Sequence, residues 1–222
     1  MIVYTRKLSF SHALSYLRAS TDTSARDGIN QRILRLRQGL EPAGRLARHR
    51  SGAGRGAAVL MPIFELDGDL HVVFIRRSDH VESHRGQVAF PGGRVDPTDE
   101  TLLHTALREA QEEVGIEPAS VDVLGAIEGT VARTSEIHVT PFVGVIPAAE
   151  GLRADPKEVA AIFFVPMSAL EDSSYRGTYR FRRDSGEVSE HPAIFYNDQV
   201  IWGLTLRFTE EVLRRMNGPP SR

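Results

Sequence analysis

The sequence R-E-A-Q-E-E-V-G-I, Arg108 to Ile116, places three glutamates within five consecutive positions. Glu109, Glu112 and Glu113 are separated by three and four residues, so a helix would carry all three on one face. Like charges at that spacing cost only about 0.2–0.5 kcal/mol per pair. The cluster by itself is therefore compatible with a solvated acidic surface as well as with a cation-binding site.

The residues on either side of these glutamates predict a capped helix. Asp96 is suited to the N-cap, Pro97 to the first helical position and Asp99 to the capping-box position. Gly115 can adopt the left-handed conformation that ends a helix. The apolar stripe of this helix is expected to be buried, with the three glutamates on another side. Its members are Leu103, Ala106, Leu107, Ala110 and Val114.

A Pro-Gly-Gly turn that ends with Gly92 and Gly93 precedes the helix and allows close approach between the backbone and a ligand. Mg2+ is usually held by carboxylates together with substrate phosphates and water. In this context, Glu109, Glu112 and Glu113 predict a site for Mg2+ or Mn2+ that binds phosphate groups through the metal. The backbone N–H groups of the two glycines are expected to support that site.

The stretch G-G-R-V-D-P-T-D-E-T-L-L-H-T-A-L-R-E-A-Q-E-E-V-G-I, which begins at Gly92, resembles the Nudix box. The pattern of that box is G-x5-E-x7-R-E-U-x-E-E-x-G-U, with U aliphatic. The match is complete from Arg108 onward, with Ala110 as the small apolar residue. At the front, Asp99 stands at the position of the first glutamate and Glu100 follows it. Either of these two residues can take the part of the first acid.

The resemblance to the Nudix hydrolases implies an α/β fold, an α/β/α sandwich around a mixed β-sheet. It also implies hydrolysis of a nucleoside diphosphate linked to another moiety. Glu109, Glu112 and Glu113 would then hold one or more Mg2+ or Mn2+ ions, which bridge diphosphate oxygens and activate the attacking water. Arg108 is expected to orient a glutamate through an ion pair. The general base is either one of these glutamates or Glu158, which lies where related enzymes often supply a further acid.

Upstream, F-I-R-R-S-D-H-V-E-S-H-R-G-Q-V-A-F-P-G-G resembles the additional signature of the coenzyme A pyrophosphatase branch, L-L-T-x-R-S-x3-R-x3-G-x3-F-P-G-G. Arg77, Ser78 and Gly86 match this pattern in register, as do Phe90 to Gly93. The resemblance implies that Arg77 and Ser78 contact coenzyme A. It further implies hydrolysis of coenzyme A or acyl-CoA to 3′,5′-ADP and 4′-phosphopantetheine.

Glu82 departs from this signature, which has an arginine at its position. An acid there inverts a charge that could meet a phosphate. It therefore favours a second hypothesis, a Nudix diphosphatase for another dinucleotide such as ADP-ribose or NADH. A third hypothesis is a non-catalytic Nudix-like module that uses the basic N-terminal region to bind nucleic acid or a partner. The three intact box glutamates argue against it, because binding alone does not need them.

Two regions are predicted, a basic helical extension over residues 1–56 and the Nudix hydrolase domain over residues 57–222. The first 57 residues hold 11 lysines and arginines against three acids. Ser11 to Arg18 and Ile29 to Leu40 show helical spacing, and the glycine-rich segment 48–56 is predicted to be a flexible connector. The N-terminal helices also suggest a homodimer.

The 222-residue chain has a formal net charge of −2, which gives no bias toward nucleic acid or acidic membranes. It contains no cysteine, which excludes disulfides, a thiolate nucleophile and cysteine metal ligands. Metal binding must therefore use oxygen or imidazole groups. The sequence shows neither a long apolar span nor a secretion signal. These features favour a cytoplasmic protein with a small nucleotide substrate and no membrane partner.

Apolar, β-branched runs on both sides of Asp67-Gly68 predict two strands joined as a hairpin. Further strands are predicted over residues 121–127, 138–146 and 159–166. A C-terminal helix is expected to turn four apolar residues inward, namely Leu204, Phe208, Val212 and Met216.

Overall fold

The structure is a computed structural model, and it describes residues 23–46, 56–81, 83–131, 136–182 and 185–218. The predicted helix at Ser11 to Arg18, most of the predicted connector, and Glu82 lie outside these residues.

Five helices and eleven strands are found in the described part of the chain. The helices are α1 Thr23–Gly39, α2 Ala43–Leu46, α3 Leu102–Val114, α4 Met167–Glu171 and α5 Gly203–Asn217. The strands are β1 Gly56–Leu66, β2 Asp69–Arg77, β3 Val88–Ala89, β4 Gly92–Arg94, β5 Asp122–Ala126, β6 Thr130–Val131, β7 His138–Val145, β8 Val159–Pro166, β9 Arg176–Arg182, β10 Val188–Tyr196 and β11 Gln199–Trp202.

A mixed eight-stranded sheet forms the centre of the fold, with the path β3-β2-β1-β7-β5. Strand β1 runs parallel to β7 and antiparallel to β2, while β4 pairs with β1, β6 with β7 and β8 with β2. The predicted hairpin is confirmed, because Leu66 pairs with Asp69 and both residues between them have positive φ. The predictions over residues 121–127, 138–146 and 159–166 are confirmed as β5, β7 and β8.

Helices cover both faces of this sheet, so the predicted α/β/α sandwich is confirmed. In β1, Met61 and Ile63 face a core that is completed by α1 and α5. Leu60 and Phe64 of the same strand face a second core that is completed by α3. The alternation of side chains along a strand thus buries both faces of β1.

The predicted helix at Ile29 to Leu40 is confirmed as part of α1, which packs against α5. Leu36 is buried in the same core as Val212 and Met216 of α5. Arg215 of α5 donates a hydrogen bond to the carbonyl oxygen of Gly39, at the end of α1. The domain boundary at residue 56 and the homodimer stay predictions. No helix among the described residues is both long and apolar enough to cross a membrane.

A smaller three-stranded sheet, with the order β11-β10-β9, lies beside β3. The hydroxyl of Thr205, in the first turn of α5, donates a hydrogen bond to the carbonyl oxygen of Val88 at 3.0 Å. This bond links α5 to the strand that leads into the Pro-Gly-Gly turn. Of the four residues expected to point inward from α5, Phe208, Val212 and Met216 are buried and Leu204 is partly buried.

Helix α3 carries the three glutamates, and it begins at Leu102 rather than at Pro97. Thr101 is the N-cap, and its Oγ1 accepts a hydrogen bond from the His104 N–H at 3.0 Å. The prediction that Asp96 caps this helix is therefore wrong. A threonine hydroxyl satisfies the same unpaired N–H groups at the first turn that an aspartate would have satisfied.

Asp96 instead forms a separate turn with Asp99 in front of α3. The Asp99 N–H donates to the Asp96 carbonyl oxygen at 2.9 Å, and the Asp96 N–H donates to Asp99 Oδ2 at 2.9 Å. The predicted end of the helix is confirmed, because Gly115 is the C-cap with a φ of 76°. In the predicted stripe, Ala106, Ala110 and Val114 are buried, while Leu103 and Leu107 are half-buried.

Candidate active site

Two glycines let strand β4 lie against both β1 and α3. A Cβ at Gly92 would come within 2.4 Å of the Ala58 carbonyl oxygen, and one at Gly93 within 2.4 Å of Glu109 Cδ. Gly92 also has a φ of 154°, which side-chain-bearing residues rarely adopt. The turn therefore depends on glycine at both positions, and Gly93 leaves the space that the Glu109 carboxylate occupies.

Glu113 is buried beneath this turn, with 2% of its surface exposed. Its Oε2 accepts a hydrogen bond from the Gly92 N–H at 2.9 Å, and Arg77 Nη1 lies 3.5 Å from its Oε1. Burial raises the pKa of Glu113 to about 8, although the Gly92 N–H and the charge of Arg77 both act to lower it. The expectation that all three glutamates point away from the buried side of α3 is wrong for Glu113, because Gly92 and Arg77 contact it there.

Arg108 connects three acids to the backbone of β4. Its Nε and Nη2 each donate to one oxygen of Asp99 at 2.9 Å. Its Nη1 donates to Glu109 Oε1 at 2.9 Å and to Glu112 Oε2 at 3.0 Å. Nη2 also donates to the carbonyl oxygen of Arg94 at 3.2 Å. One guanidinium thus holds α3, the turn before it and β4 in a single arrangement.

Asp99, rather than Glu100, is the acid that pairs with Arg108. The Asp99 side chain is fully buried, whereas Glu100 is exposed. The Arg108 guanidinium holds the pKa of the Asp99 carboxyl well below its usual range. The sequence left these two acids as alternatives, and the position of Thr101 as the N-cap explains the outcome. It places Asp99 in the turn that faces Arg108.

Glu109 and Glu112 lie on the accessible side of the cluster, and Glu158 approaches it from another element. Burial raises the pKa of Glu109, and the hydrogen bond from Arg108 opposes that shift. The Glu112 side chain is 59% exposed. Glu158 is exposed immediately before β8, and its charge contributes to the raised pKa of both Glu109 and Glu113. The fold therefore places Glu158 within electrostatic range of these glutamates.

The three remaining predicted site residues, Arg77, Ser78 and Gly86, belong to one loop whose ends are joined. The Gly86 N–H donates to the Arg77 carbonyl oxygen at 3.2 Å. Ser78 is buried, its Oγ accepts a hydrogen bond from the His80 N–H, and its own N–H donates to the Glu158 carbonyl oxygen at 2.8 Å. Arg77 reaches the glutamate cluster, while Ser78 and Gly86 shape the loop and fix the start of β8.

The glutamates form the kind of donor set that Mg2+ and Mn2+ prefer, since each supplies carboxylate oxygens. One of these atoms, Glu113 Oε1, is buried and has no hydrogen-bond partner among the described residues. Within the same ranges, no group of three or more His, Asp or Glu side chains is already arranged around a metal position. Arg108 holds one oxygen of Glu109 and one of Glu112. The donor chemistry fits a divalent cation, because Arg108 holds only one oxygen of each of these two carboxylates.

The chain is similar to known Nudix proteins. The NUDIX domain profile matches residues 54–184. The uncharacterized Nudix hydrolase NudL of Yersinia pestis (strain Pestoides F) is 39% identical over 170 residues, which cover 75% of this chain and 82% of that protein. The NudL of Yersinia pseudotuberculosis serotype O:1b gives the same values. A Nudix hydrolase crystal structure from Alicyclobacillus acidocaldarius matches 73% of this chain and 92% of that one, with 19% identity and a TM-score of 0.47.

The chain therefore belongs to the Nudix hydrolase family. It is a pyrophosphohydrolase that acts on a nucleoside diphosphate derivative. The hypothesis of a non-catalytic binding module is not retained.

Proposed function

We propose that this enzyme hydrolyses the diphosphate of coenzyme A or acyl-CoA to 3′,5′-ADP and (acyl-)4′-phosphopantetheine, with Mg2+ or Mn2+ as cofactor. The observation that carries the proposal is the cluster of three glutamates on α3, in which Glu109 and Glu112 share Arg108 and Glu113 accepts a hydrogen bond from the Gly92 N–H. A diphosphate at this position would meet carboxylates of the kind that bind divalent cations.

A divalent cation on these glutamates would neutralise the diphosphate and lower the pKa of the attacking water. The protein's own groups supply the positioning. Arg108 keeps Glu109 and Glu112 side by side, and the Gly92 N–H fixes one oxygen of Glu113. Phosphoryl transfer depends mainly on positioning and on charge stabilisation. A nucleophilic side chain is therefore not needed.

We assign the role of general base to Glu158. Its carboxylate is exposed beside the cluster, where water can reach it. The box glutamates suit this role less well, because Glu109 is bound by Arg108 and Glu113 accepts a hydrogen bond from Gly92. A general base must lie within hydrogen-bond reach of the water that it deprotonates. The Glu158→Gln variant is expected to lower kcat while metal binding by the free enzyme is preserved.

The signature shared with the coenzyme A branch supports the substrate assignment. One of its members, Arg77, contacts Glu113, and another, Phe90, stacks on Phe74 in the core, with ring centroids 5.0 Å apart. Arg77 is thus the member of the signature that lies at the proposed diphosphate position.

A cavity of about 410 Å³ lies on the face of the sheet that α5 covers, whereas α3 covers the other face. It lies at the same end of the sheet as the glycine turn, because Arg94 pairs with Ala57, Ala57 with Val139, and Val139 with Thr130. Its lining residues are Ile127, Glu128, Gly129, Arg207, Phe208, Glu211 and Arg215.

A second candidate function is hydrolysis of another dinucleotide such as ADP-ribose or NADH. Glu82 favours it, because the coenzyme A signature has an arginine at this position. The Glu82→Arg variant tests the point directly. A lower KM for coenzyme A would show that the acid weakens coenzyme A binding, whereas an unchanged KM would remove the reason for the second candidate.

The proposed function is tested by measuring Mg2+-dependent hydrolysis of coenzyme A, acyl-CoA, ADP-ribose, NADH and nucleoside triphosphates. Glu112→Gln serves as the inactive reference, and Glu117→Gln, on an exposed acid beyond α3, serves as the matched control. We expect coenzyme A derivatives to have the highest kcat/KM in the wild type and in the control. Turnover of another substrate with none of coenzyme A would refute the substrate assignment.

A further inference from the structure

Arg77 and Glu113 face each other, and each has one buried polar atom without a hydrogen-bond partner among the described residues. In the part of the chain that the structure describes, Arg77 Nε and Glu113 Oε1 are buried and lack a hydrogen-bond partner. Arg77 Nη1 lies 3.5 Å from Glu113 Oε1, which is longer than the roughly 2.7–3.2 Å of a hydrogen bond. Buried donors and acceptors are nearly always satisfied, so a pair of unsatisfied ones beside a catalytic cluster indicates a missing ligand.

The backbone fixes the direction of the Arg77 side chain. The pairing between β2 and β8 shifts its register between Arg76 and Arg77, and such irregularities redirect side chains next to active sites. The Arg77 N–H donates to the Gln87 carbonyl oxygen at 3.0 Å, and its own carbonyl oxygen accepts from the Gly86 N–H. Arg77 is therefore aimed at the cluster by the strand and by the loop that follows it.

Glu113 is held from the other side. The Gly92 N–H binds Oε2, which leaves Oε1 directed toward the guanidinium with its lone pairs available. A divalent cation and a guanidinium both bind carboxylate oxygens, and both are positively charged. They therefore compete for Glu113 Oε1.

We propose that Arg77 changes partner during the reaction cycle, facing Glu113 Oε1 in the free enzyme and binding a diphosphate oxygen of the substrate in the metal-loaded enzyme. Repulsion between a cation on the glutamates and the guanidinium would displace the Arg77 side chain from Oε1. Its Nε and Nη donors would then be free to bind diphosphate oxygens of the substrate. The inference rests on the proposed function only for the presence of a diphosphate in the substrate.

This role differs from the one implied by the coenzyme A signature. Arg77 would bind the diphosphate, which all the candidate substrates share, rather than a group found only in coenzyme A. Loss of Arg77 should therefore raise the KM of every substrate by a similar factor and leave the preference among substrates unchanged.

The test compares Arg77→Gln, Arg77→Lys and the matched control Arg76→Gln, which removes the adjacent arginine of the same strand. Mn2+ binding to the substrate-free protein is measured at one pH by electron paramagnetic resonance of the unbound ion. The kcat and KM values are measured for coenzyme A, ADP-ribose and NADH, and thermal unfolding checks that each variant is folded.

We expect Arg77→Gln to bind Mn2+ about threefold more tightly than the wild type, because a competing positive charge is gone. The same variant should raise KM by about tenfold or more for every substrate that is turned over. Arg77→Lys should keep the wild-type Mn2+ affinity, because it keeps the positive charge. Its KM should lie between those of the wild type and Arg77→Gln, because lysine lacks the paired N–H donors of a guanidinium. Arg76→Gln should match the wild type in both measurements.

Any of three results for Arg77→Gln would overturn the proposal. Weaker Mn2+ binding in Arg77→Gln would mean that Arg77 supports Glu113 rather than competing with the metal. A loss confined to coenzyme A would mean that Arg77 reads a coenzyme A group. Unchanged KM values would show that Arg77 does not contact the diphosphate.

If the wild type hydrolysed no diphosphate, the proposed function would fail, while the Mn2+ titration would still decide whether Arg77 competes for Glu113. If Arg77→Gln did not fold, a wild-type KM in Arg77→Lys would refute the proposal.

Discussion

Arg108 and Asp99 form an ion pair with two hydrogen bonds, in which each carboxylate oxygen accepts one guanidinium N–H at 2.9 Å. The same guanidinium also holds Glu109 and Glu112. The orientation of two proposed metal ligands therefore depends on an acid that lies outside the proposed metal site.

Replacing Asp99 with asparagine should damage both the fold and the activity. Asparagine offers one acceptor oxygen in place of two, so Arg108 is left partly unpaired at a buried site. We expect Asp99→Asn to lower the free energy of unfolding by about 3 kcal/mol. We also expect it to lower kcat at least tenfold, because Glu109 and Glu112 lose their fixed neighbour. Urea unfolding and steady-state kinetics measure the two effects. Glu100→Gln is the control, and equal losses in both variants would contradict the assignment of Asp99.

The contribution of Asp99 to stability should depend on pH. Arg108 lowers the pKa of Asp99 in the folded state, so the ion pair stabilises the fold above the ordinary aspartate pKa of about 4 and loses this effect as the pH falls further. The difference in unfolding free energy between the wild type and Asp99→Asn should be constant from about pH 5 to 7 and shrink below about pH 4. A difference that persists unchanged at low pH would show that the ion pair is not its cause.

Glu113 should have the opposite dependence in the metal-free enzyme. Burial raises its pKa to about 8. Its contribution to stability is therefore complete below the ordinary glutamate pKa of about 4.3 and is lost as the pH rises toward 8. In the presence of EDTA, Glu113→Gln should gain on the order of 2 kcal/mol of stability relative to the wild type between about pH 5 and pH 8. Urea unfolding at the two pH values measures this gain, and a constant difference would contradict it.

Alanine at the two glycines of the turn should separate folding from catalysis. The new Cβ of Gly93→Ala meets the end of the flexible Glu109 side chain, so this variant should fold but lose about a hundredfold in kcat because a metal ligand is displaced. The Cβ of Gly92→Ala meets the backbone of Ala58 and Val59, which cannot move as easily, so this variant should lose several kcal/mol of stability. Thermal unfolding and kinetics distinguish the two outcomes. A Gly93→Ala enzyme with wild-type kcat would contradict the assignment of Glu109 to the active site.

Local spacing was sufficient to predict which residues of α3 gather at the site. Glu109, Glu112 and Glu113 lie three and four residues apart, and Arg108 is four residues from Glu112. This spacing brings the four side chains together on a helix wherever the helix begins and ends. The hairpin at Asp67-Gly68 was predictable for the same reason, because a two-residue turn fixes the register of both strands.

The features that could not be predicted from the sequence, or were predicted wrongly, depend on contacts between distant segments. The burial of Glu113 depends on Gly92 from β4 and Arg77 from β2, and only the pairing of the sheet brings these residues to α3. The choice between Asp99 and Glu100 depended on where the helix starts. Asp96 and Thr101 are both good N-cap residues, and Asp99 is held by Arg108 from the middle of α3.

The most direct test of the proposed metal-dependent mechanism is the rate of 3′,5′-ADP release from coenzyme A before and after metal removal, for the wild type and Glu109→Gln. We expect the wild-type rate to vanish in EDTA and to return on addition of Mg2+ or Mn2+. Glu109→Gln should stay at least about a hundredfold slower at every metal concentration. Release of 3′,5′-ADP that continues in EDTA, or a Glu109→Gln enzyme that is as fast as the wild type, would contradict the assignment of this cluster as the catalytic metal site.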